Sequence, residues 1–277
     1  MNVESPGTLF VVGTPIGNLD DLSSRARKVL GTVDLIACED TRRTGRLLSS
    51  IGVERPLTPY HDHNEKEQTE RLLGRLTSGE SVALVSDAGI PTISDPGLTL
   101  VRAASDQGVP VATVPGPNAA LAALSISGLA TDRFVFEGFL PRRAGQRDAR
   151  LESLVAETRT MIFYEAVHRV EATIAALEAC FGAERPAAVA RELTKLHEQI
   201  ATGTLATLRS RLGSEIPLKG EFVLLVAGRD ESDAASDAEV ERIFAILARE
   251  MSSKAAVSAT AEITGRTRNA VYRLTRT

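Results

Sequence analysis

The chain contains no tryptophan, only three tyrosines and eight phenylalanines in 277 residues. Val, Ile, Leu and Ala must therefore fill the core, and flat rings for stacking single-stranded nucleic acid are scarce. Cysteine occurs twice, at Cys38 and Cys180. Two distant cysteines exclude a disulfide scaffold and fit reduced thiols of the cytoplasm. Long hydrophobic runs are also missing. The longest nearly apolar stretch, 119–130, contains Ser125, Ser127 and Gly128 and is too short and too polar to span a bilayer. Met1-Asn2-Val3-Glu4 carries no basic-then-apolar leader. The expectation is a soluble, cytoplasmic protein with no membrane partner. A net charge of −4 excludes a surface that is basic all over, but not a local basic patch.

What is present is ordinary globular composition, with 43% apolar and 25% charged residues. The length allows one large or two modest domains. Short apolar runs at Leu9-Val12, Leu35-Cys38, Val82-Ser86, Val109-Val114, Phe134-Phe136, Thr160-Tyr164, Ala187-Arg191 and Phe222-Ala227 read as strands. Amphipathic stretches lie between them. Leu72, Leu73 and Leu76 share one helical face, and so do Val170, Ile174 and Leu177. This alternation predicts α/β layers with buried sheets. A polar, basic stretch around Pro141-Arg142-Arg143 marks one boundary. The run Gly228 to Ala238, with four acidic residues and one arginine, marks another. The expected organisation is an α/β domain over 1–138, a second over 139–228, an acidic linker over 229–238 and a helical, basic C-terminal part over 239–277.

Three glycine-bearing loops follow strands. The first, Gly13-Thr14-Pro15-Ile16-Gly17-Asn18, is neither a dinucleotide fingerprint nor a P-loop. It serves equally as a tight turn. The second runs from Asp87 to Gly97, with two Ser-Asp pairs, two glycines and two prolines between Ser86 and Gly97. Long loops at strand ends are where α/β proteins hold ligands. Asp87 is suited to accept from a ribose or an amine, while Asp95 can instead cap the following helix. The third is Pro115-Gly116-Pro117-Asn118-Ala119, where Asn118 can equally start a helix. Together the three suggest a shared pocket.

GTPIGNLDDLS, SDAGIPTISDPG and PGPNA, in that order, resemble the tetrapyrrole-methylase-type S-adenosylmethionine methyltransferases. Glu39-Asp40-Thr41-Arg42, Tyr60-His61-Asp62-His63-Asn64, Phe163 to Arg169 and Arg191-Glu192-Leu193-Thr194-Lys195 are similar to one branch, the 2′-O-methyltransferases of a cytidine in the 16S decoding centre. The resemblance covers roughly residues 7 to 228. Departures are few: the branch usually has Thr at Ile90 and Ser at Asn118. Relatives that methylate corrin precursors carry Gly-Asp-Pro where this chain has Ser86-Asp87-Ala88. The resemblance implies two α/β domains of tetrapyrrole-methylase type with the cofactor cleft between them, plus the small helical C-terminal tail. It implies S-adenosylmethionine contacts from Pro15, Ser86, Asp87, Ala88, Ile90, Asn118 and Ala119. Glu165 and the backbone near Glu192 would close the pocket. It also implies a homodimer, and 16S rRNA in the small ribosomal subunit as partner.

The methyl of a sulfonium is already a strong electrophile, so the enzyme must align the nucleophilic oxygen and remove its proton. Candidates are His63, Glu165, Glu192 and Lys195, with Lys195 and Glu165 expected to matter for chemistry more than for folding. Lys195 can orient a phosphate or act as a base, or simply bridge to Glu192 or Glu198. His61-x-His63 has two imidazoles but too few further donors for a metal, so none is expected, and Asp62 or Asn64 can cap a helix instead. Arg42, Arg43 and Arg46 form one basic cluster, and Arg142, Arg143 and Arg147 another. Either can meet RNA phosphates or simply be solvated. From Lys254 onward five basic residues, including Arg266, Arg268 and Arg273, oppose Glu262 alone. That net +4 leaves −8 on the other 253 residues, an asymmetry that suggests a nucleic-acid contact. Two other readings stay open: a methyltransferase of small tetrapyrrole precursors, and a non-catalytic ribosome-assembly factor that keeps the fold.

Overall fold

The computed structural model describes residues 6–230 and 237–275. The first half alternates strands and helices: β1 (Leu9–Val12), α1 (Ser24–Thr32), β2 (Leu35–Cys38), α2 (Thr41–Ser50), β3 (Leu57–Pro59), α3 (Glu65–Thr77), β4 (Val82–Val85), α4 (Leu98–Asp106), β5 (Val111–Val114) and α5 (Ala119–Ile126). The five strands form an all-parallel sheet in the order β3-β2-β4-β1-β5. Every residue of β2 and β4 is buried, because helices cover both faces. Leu72, Leu76 and Leu100 of α3 and α4 pack on one face with Leu9 and Leu84. Ala26, Leu30 and Leu48 of α1 and α2 pack on the other with Ile36 and Val85.

The second half continues with β6 (Phe134–Phe139), α6 (Ala144–Glu152), β7 (Thr160–Glu165), α7 (Val170–Phe181), β8 (Pro186–Arg191), β9 (Gln199–Thr204), α8 (Leu205–Arg211) and β10 (Phe222–Val226). Its sheet runs β6-β7-β10-β8-β9; β6 and β7 are parallel, and the other pairs are antiparallel. Leu151, Ile174, Leu177 and Leu208 cover one face. The other face receives Ala120, Ala123 and Leu124 of α5, together with Ile16 from the first loop. Helix α5 thus joins the two layers into one body.

The boundary expected at 138/139 falls inside β6 and is corrected. β6 pairs with β7 along most of its length, with a register shift between Phe136 and Gly138. The break between sheets therefore lies between α5 and β6. The basic stretch looked like a boundary because the turn into α6 is exposed, whereas β6 is an edge strand without a continuous apolar run. Two strands had no sequence signal: β3 is three residues ending in proline, and β9, QIATGT, is a mostly polar edge strand.

Helices α9 (Asp237–Leu247), α10 (Ser253–Thr264) and α11 (Arg268–Leu274) form the C-terminal part. Helix α9 starts within the expected 229–238 linker, and residues 231–236 of that linker lie outside the described residues. Val240, Ala261 and Val271, with Val257 and Leu274, make a small core of its own. Gly265 ends α10 in the left-handed conformation (φ 66°), which a residue with a Cβ rarely adopts. Among the described residues, no helix is long and apolar enough to cross a membrane.

Candidate functional site

Strand order brings the three loops together. β1 lies between β4 and β5, so the loops after these strands are neighbours at the carboxyl ends. Backbone contacts fasten them. The Thr14 amide donates to the Gly89 carbonyl (2.8 Å), and the Gly89 amide returns a bond to Thr14 (3.1 Å). Gly13 and Gly116 meet backbone to backbone, and a Cβ on Gly13 would stand 2.7 Å from the Gly116 Cα. Glycine is required there by close approach.

These loops form one wall of a cleft of about 430 Å³. Ile16, Asp87, Ala88, Ile90, Asp95, Asn118 and Ala119 line it from the first sheet. Phe139, Tyr164, Glu165, Glu221 and Val223 line it from the second. A wider groove of about 920 Å³ lies at the other end of the second sheet's strands, beside Arg133, Arg159 and Arg185. None of the three glycine loops reaches that groove.

Two segments of the cleft region hold residues with a side chain in the left-handed region: Thr92 (φ 76°) and Ser94 (φ 63°) on one, Glu192 (φ 50°) and Thr194 (φ 64°) on the other. Such strain persists only where surrounding structure enforces it, and it gathers at functional sites.

The lining is acidic. Asp87 Oδ1 accepts from the Asp40 amide (3.1 Å), and Oδ2 pairs with Arg43 Nη1 (3.2 Å). Burial, and then the neighbouring Asp87, push the Glu39 carboxyl above its usual range. Burial chiefly raises Asp95 to about 6, with Glu39, Asp87 and Asp62 adding to it against the Ser86 hydroxyl. Asp95 does not cap α4, because Gly97 holds that position.

Other expected residues fall in distinct places. Asn118 lines the cleft while capping α5 through the Leu121 amide (3.1 Å). Pro15 and Ser86 sit behind the lining. Ser86 is buried, and its carbonyl accepts from the Thr14 hydroxyl. Glu165 is fully engaged: Thr173 Oγ1 donates to Oε2 (2.6 Å), the Ala166 amide donates to Oε1 (2.8 Å), and Arg169 is 3.4 Å from Oε1. Lys195 Nζ bridges Glu192 (2.8 Å) and Glu221 (3.0 Å). Those two carboxylates outweigh its partial burial and hold its pKa above the usual value. Lys195 in turn holds the Glu192 carboxyl low. Glu198 does not join the bridge; it accepts from the Thr194 amide (2.6 Å).

His63 is exposed and does not line the cleft. It stands edge-on to His61 at 6.0 Å. Asn64 is the N-cap of α3 but makes no side-chain cap bond; its Oδ1 accepts from the His61 amide. Among the described residues no group of His, Cys, Asp and Glu is arranged to hold a metal. Cys38 is a buried thiol that burial pushes up to about 11, and Cys180 is also free.

Of the arginines expected at RNA, Arg42 is exposed and clasps Asp40, while Arg43 reaches the cleft. Arg142 and Arg143 are exposed at the start of α6. Arg266 pairs with Asp237 (2.9 Å), and Arg268 and Arg273 are exposed on α11. Sequence reasoning missed Glu39, Phe139, Glu221 and Val223 as lining residues. Glu39 opens a motif that had been noted, but the other three follow only from how β6 and β10 meet the loops.

Comparison with known proteins agrees with this architecture. The family model of Tetrapyrrole (Corrin/Porphyrin) Methylases matches residues 8–209, and that of the RsmI C-terminal HTH domain matches 234–275. Proteins named ribosomal RNA small subunit methyltransferase I are similar over nearly their whole length. The one from Xylella fastidiosa (strain Temecula1) is 52% identical, covering 98% of this chain and 99% of the relative. That from Pseudomonas aeruginosa is 49% identical, covering 97% and 96%. Among solved structures, the methyltransferase CobJ superposes with a TM-score of 0.61 at 19% identity, over 83% of this chain and 96% of its own. Uroporphyrin-III C-methyltransferase from Thermus thermophilus, complexed with S-adenosylhomocysteine, gives 0.57 at 18%, over 80% and 97%. At such identity these two share the fold alone. With half its residues shared from end to end, the chain belongs to the ribosomal RNA small subunit methyltransferase I family of tetrapyrrole-type methylases.

Proposed function

We propose that this chain transfers a methyl group from S-adenosylmethionine to the ribose 2′-hydroxyl of a cytidine in the decoding centre of 16S rRNA, within the small ribosomal subunit. The observation that carries the reading is the two-walled acidic cleft, in a chain that matches its small-subunit methyltransferase relatives over almost its full length. A sulfonium and an ammonium are cations, and Glu39 and Asp87 supply complementary charge. Ile16, Ile90 and Val223 offer apolar surface for a nucleoside. The donor set therefore fits S-adenosylmethionine, which when bound supplies an electrophilic methyl.

The chain's own residues bind, orient and exclude water. Asp87, braced by Arg43 and the Asp40 amide, is positioned to accept from the cofactor, as are the backbones of Ala88, Ile90, Asn118 and Ala119. Pro15 and Ser86 stiffen the loops behind them. Glu165 fixes the start of α7 and the second wall. Glu192 and Lys195 form a charged clasp beside the first loop, where Lys195 can meet a phosphate of the acceptor strand. Arg42, Arg43, Arg142 and Arg143 around the body, with Arg266, Arg268 and Arg273 on the tail, are the proposed RNA contacts. The protein is expected to act in the cytoplasm as a homodimer.

Labelled methyl transfer to purified small subunits, naked rRNA and a corrin precursor tests the reading. Label on the subunits, found by nuclease digestion and mass spectrometry on a ribose, is the expected result. A methyl on the free base, or label only on the corrin precursor, overturns it. Sedimentation of the purified protein at micromolar concentration checks the dimer.

A further inference from the structure

Three carboxyl groups of the first wall share the cleft, and two of them lie near a cation. Asp87 pairs with Arg43, and Glu39 lies in the field of the same guanidinium. Asp95 has the Ser86 hydroxyl beside it, and among the described residues no cation pairs with it. It is half-buried, and the left-handed residues Thr92 and Ser94 just before it shape its loop. Its side chain lines the cleft and does not cap the next helix.

The other candidate bases are occupied or elsewhere. Both oxygens of Glu165 already accept hydrogen bonds. Glu192 is held ionised by Lys195 and is a weak base. Lys195 is held protonated by two carboxylates. His63 stands outside the cleft. An attacking hydroxyl still requires a proton acceptor within reach.

We infer that Asp95 is the proton acceptor for the nucleophilic hydroxyl. This rests on reading the reaction as methylation of a ribose hydroxyl. As the oxygen attacks, its O–H bond breaks and the proton passes to a carboxylate oxygen of Asp95. An electron pair of the oxygen forms the new O–CH3 bond. The pair of the broken S–CH3 bond stays on sulfur, which leaves as an uncharged thioether. Asp95 then releases its proton to water at the open mouth.

The groups facing Asp95 are Ser86 and Asp87 on the β4 loop, Glu39 after β2 with Arg43 behind it, Asp62 before α3, and Tyr164 on β7. Burial chiefly, with the three carboxylates adding to it against the Ser86 hydroxyl, lifts the Asp95 carboxyl to about 6. Such a group is a stronger base than an ordinary aspartate and is still ionised at neutral pH.

The test compares wild type with Asp95→Asn in single-turnover methylation of purified small subunits between pH 5 and 8. Carbon-13 NMR of carboxyl-labelled protein without cofactor is recorded over the same range. The wild-type rate is expected to fall as pH drops through the Asp95 pKa of the loaded cleft, which the cofactor's cations hold below the empty-cleft value, and to be flat above it. Asp95→Asn is expected to lose about 100-fold or more in rate while keeping its S-adenosylmethionine affinity by calorimetry within about threefold. A carboxyl resonance titrating near pH 6 in wild type should be missing from the variant. A variant rate within threefold of wild type overturns the inference. So does a wild-type spectrum without cofactor in which no carboxyl titrates near 6; that measurement does not require the variant to fold. If wild type itself places no methyl on the subunits, the reading of the reaction falls, and the inference with it. If both proteins methylate equally, only the role of Asp95 falls.

Discussion

Gly17 on the first loop packs directly against the side chain of Lys195, which comes from the second sheet. A Cβ at Gly17 would overlap the Lys195 Cγ and stand 2.9 Å from Thr194 Oγ1 and 3.1 Å from the Leu193 carbonyl oxygen. The two walls of the cleft are therefore in contact through a residue with no side chain. Gly17→Ala should push the 192–195 turn outward and lower kcat/KM on small subunits by about tenfold, roughly the effect of a small misplacement of a reacting group. Overpacking should also cost about 1–3 kcal/mol in denaturant melts. Kinetics within twofold of wild type would show that this contact does not set the spacing of the walls.

Glu165 behaves as part of the frame. Its carboxylate is buried and holds Thr173, the Ala166 amide and Arg169. Glu165→Ala takes the acceptor from the Thr173 hydroxyl and the Ala166 amide, so a loss of about 3 kcal/mol of folding stability is expected. Urea melts measure it directly. A stable variant with a large drop in kcat would instead return Glu165 to the chemistry.

Stability should respond to pH through Asp95 in the sense opposite to most carboxylates. Its folded-state pKa of about 6 exceeds its ordinary 3.8, so between those values the folded chain binds more protons than the unfolded one. Folding stability tied to this group is full below pH 4 and declines as pH rises through 6. Asp95→Asn should melt at the wild-type temperature near pH 4 and higher near pH 7.5, by ~1 kcal/mol after allowing for water in the open cleft. Calorimetric scans at both pH values check it. Glu157 has the reverse sign: Arg159 holds its carboxyl down to about 2, so its contribution is lost as pH falls from 4.5 towards 2.

The C-terminal helices have their own small core and do not line the cleft. Truncation after Gly228 is expected to leave S-adenosylmethionine affinity intact. It should raise the apparent KM for small subunits and flatten its dependence on salt, because phosphate contacts are lost. A folded truncation with unchanged KM and salt slope would remove RNA binding from the tail.

Much of this architecture is legible in the residues. Buried parallel strands such as Leu35–Cys38 and Val82–Val85 show as unbroken apolar runs, and three glycine loops mark one end of the sheet. What depends on pairing is not legible. Strand β9 shows no apolar run, because an edge strand with one solvated face needs none. Glu221 is an ordinary acidic residue until β10 sets it beside β8, where its amide bonds Glu192 Oε1 and its carboxylate reaches Lys195. Asp95 looks like a helix cap because Pro96 follows it, but the chain runs on and Gly97 is the N-cap of α4. The site is thus written partly in local motifs and partly in register.

The adjacency of β4, β1 and β5 has a metric consequence. Neighbouring strands stand about 4.8 Å apart, so the three loops touch a ligand at stations spread over about 10 Å. Clamped by the Thr14–Gly89 bridge and the Gly13–Gly116 contact, those stations cannot drift apart or close up. The sheet acts as a ruler: a methyl donor lacking its nucleoside leaves a station empty, and discrimination by length is built into the backbone itself.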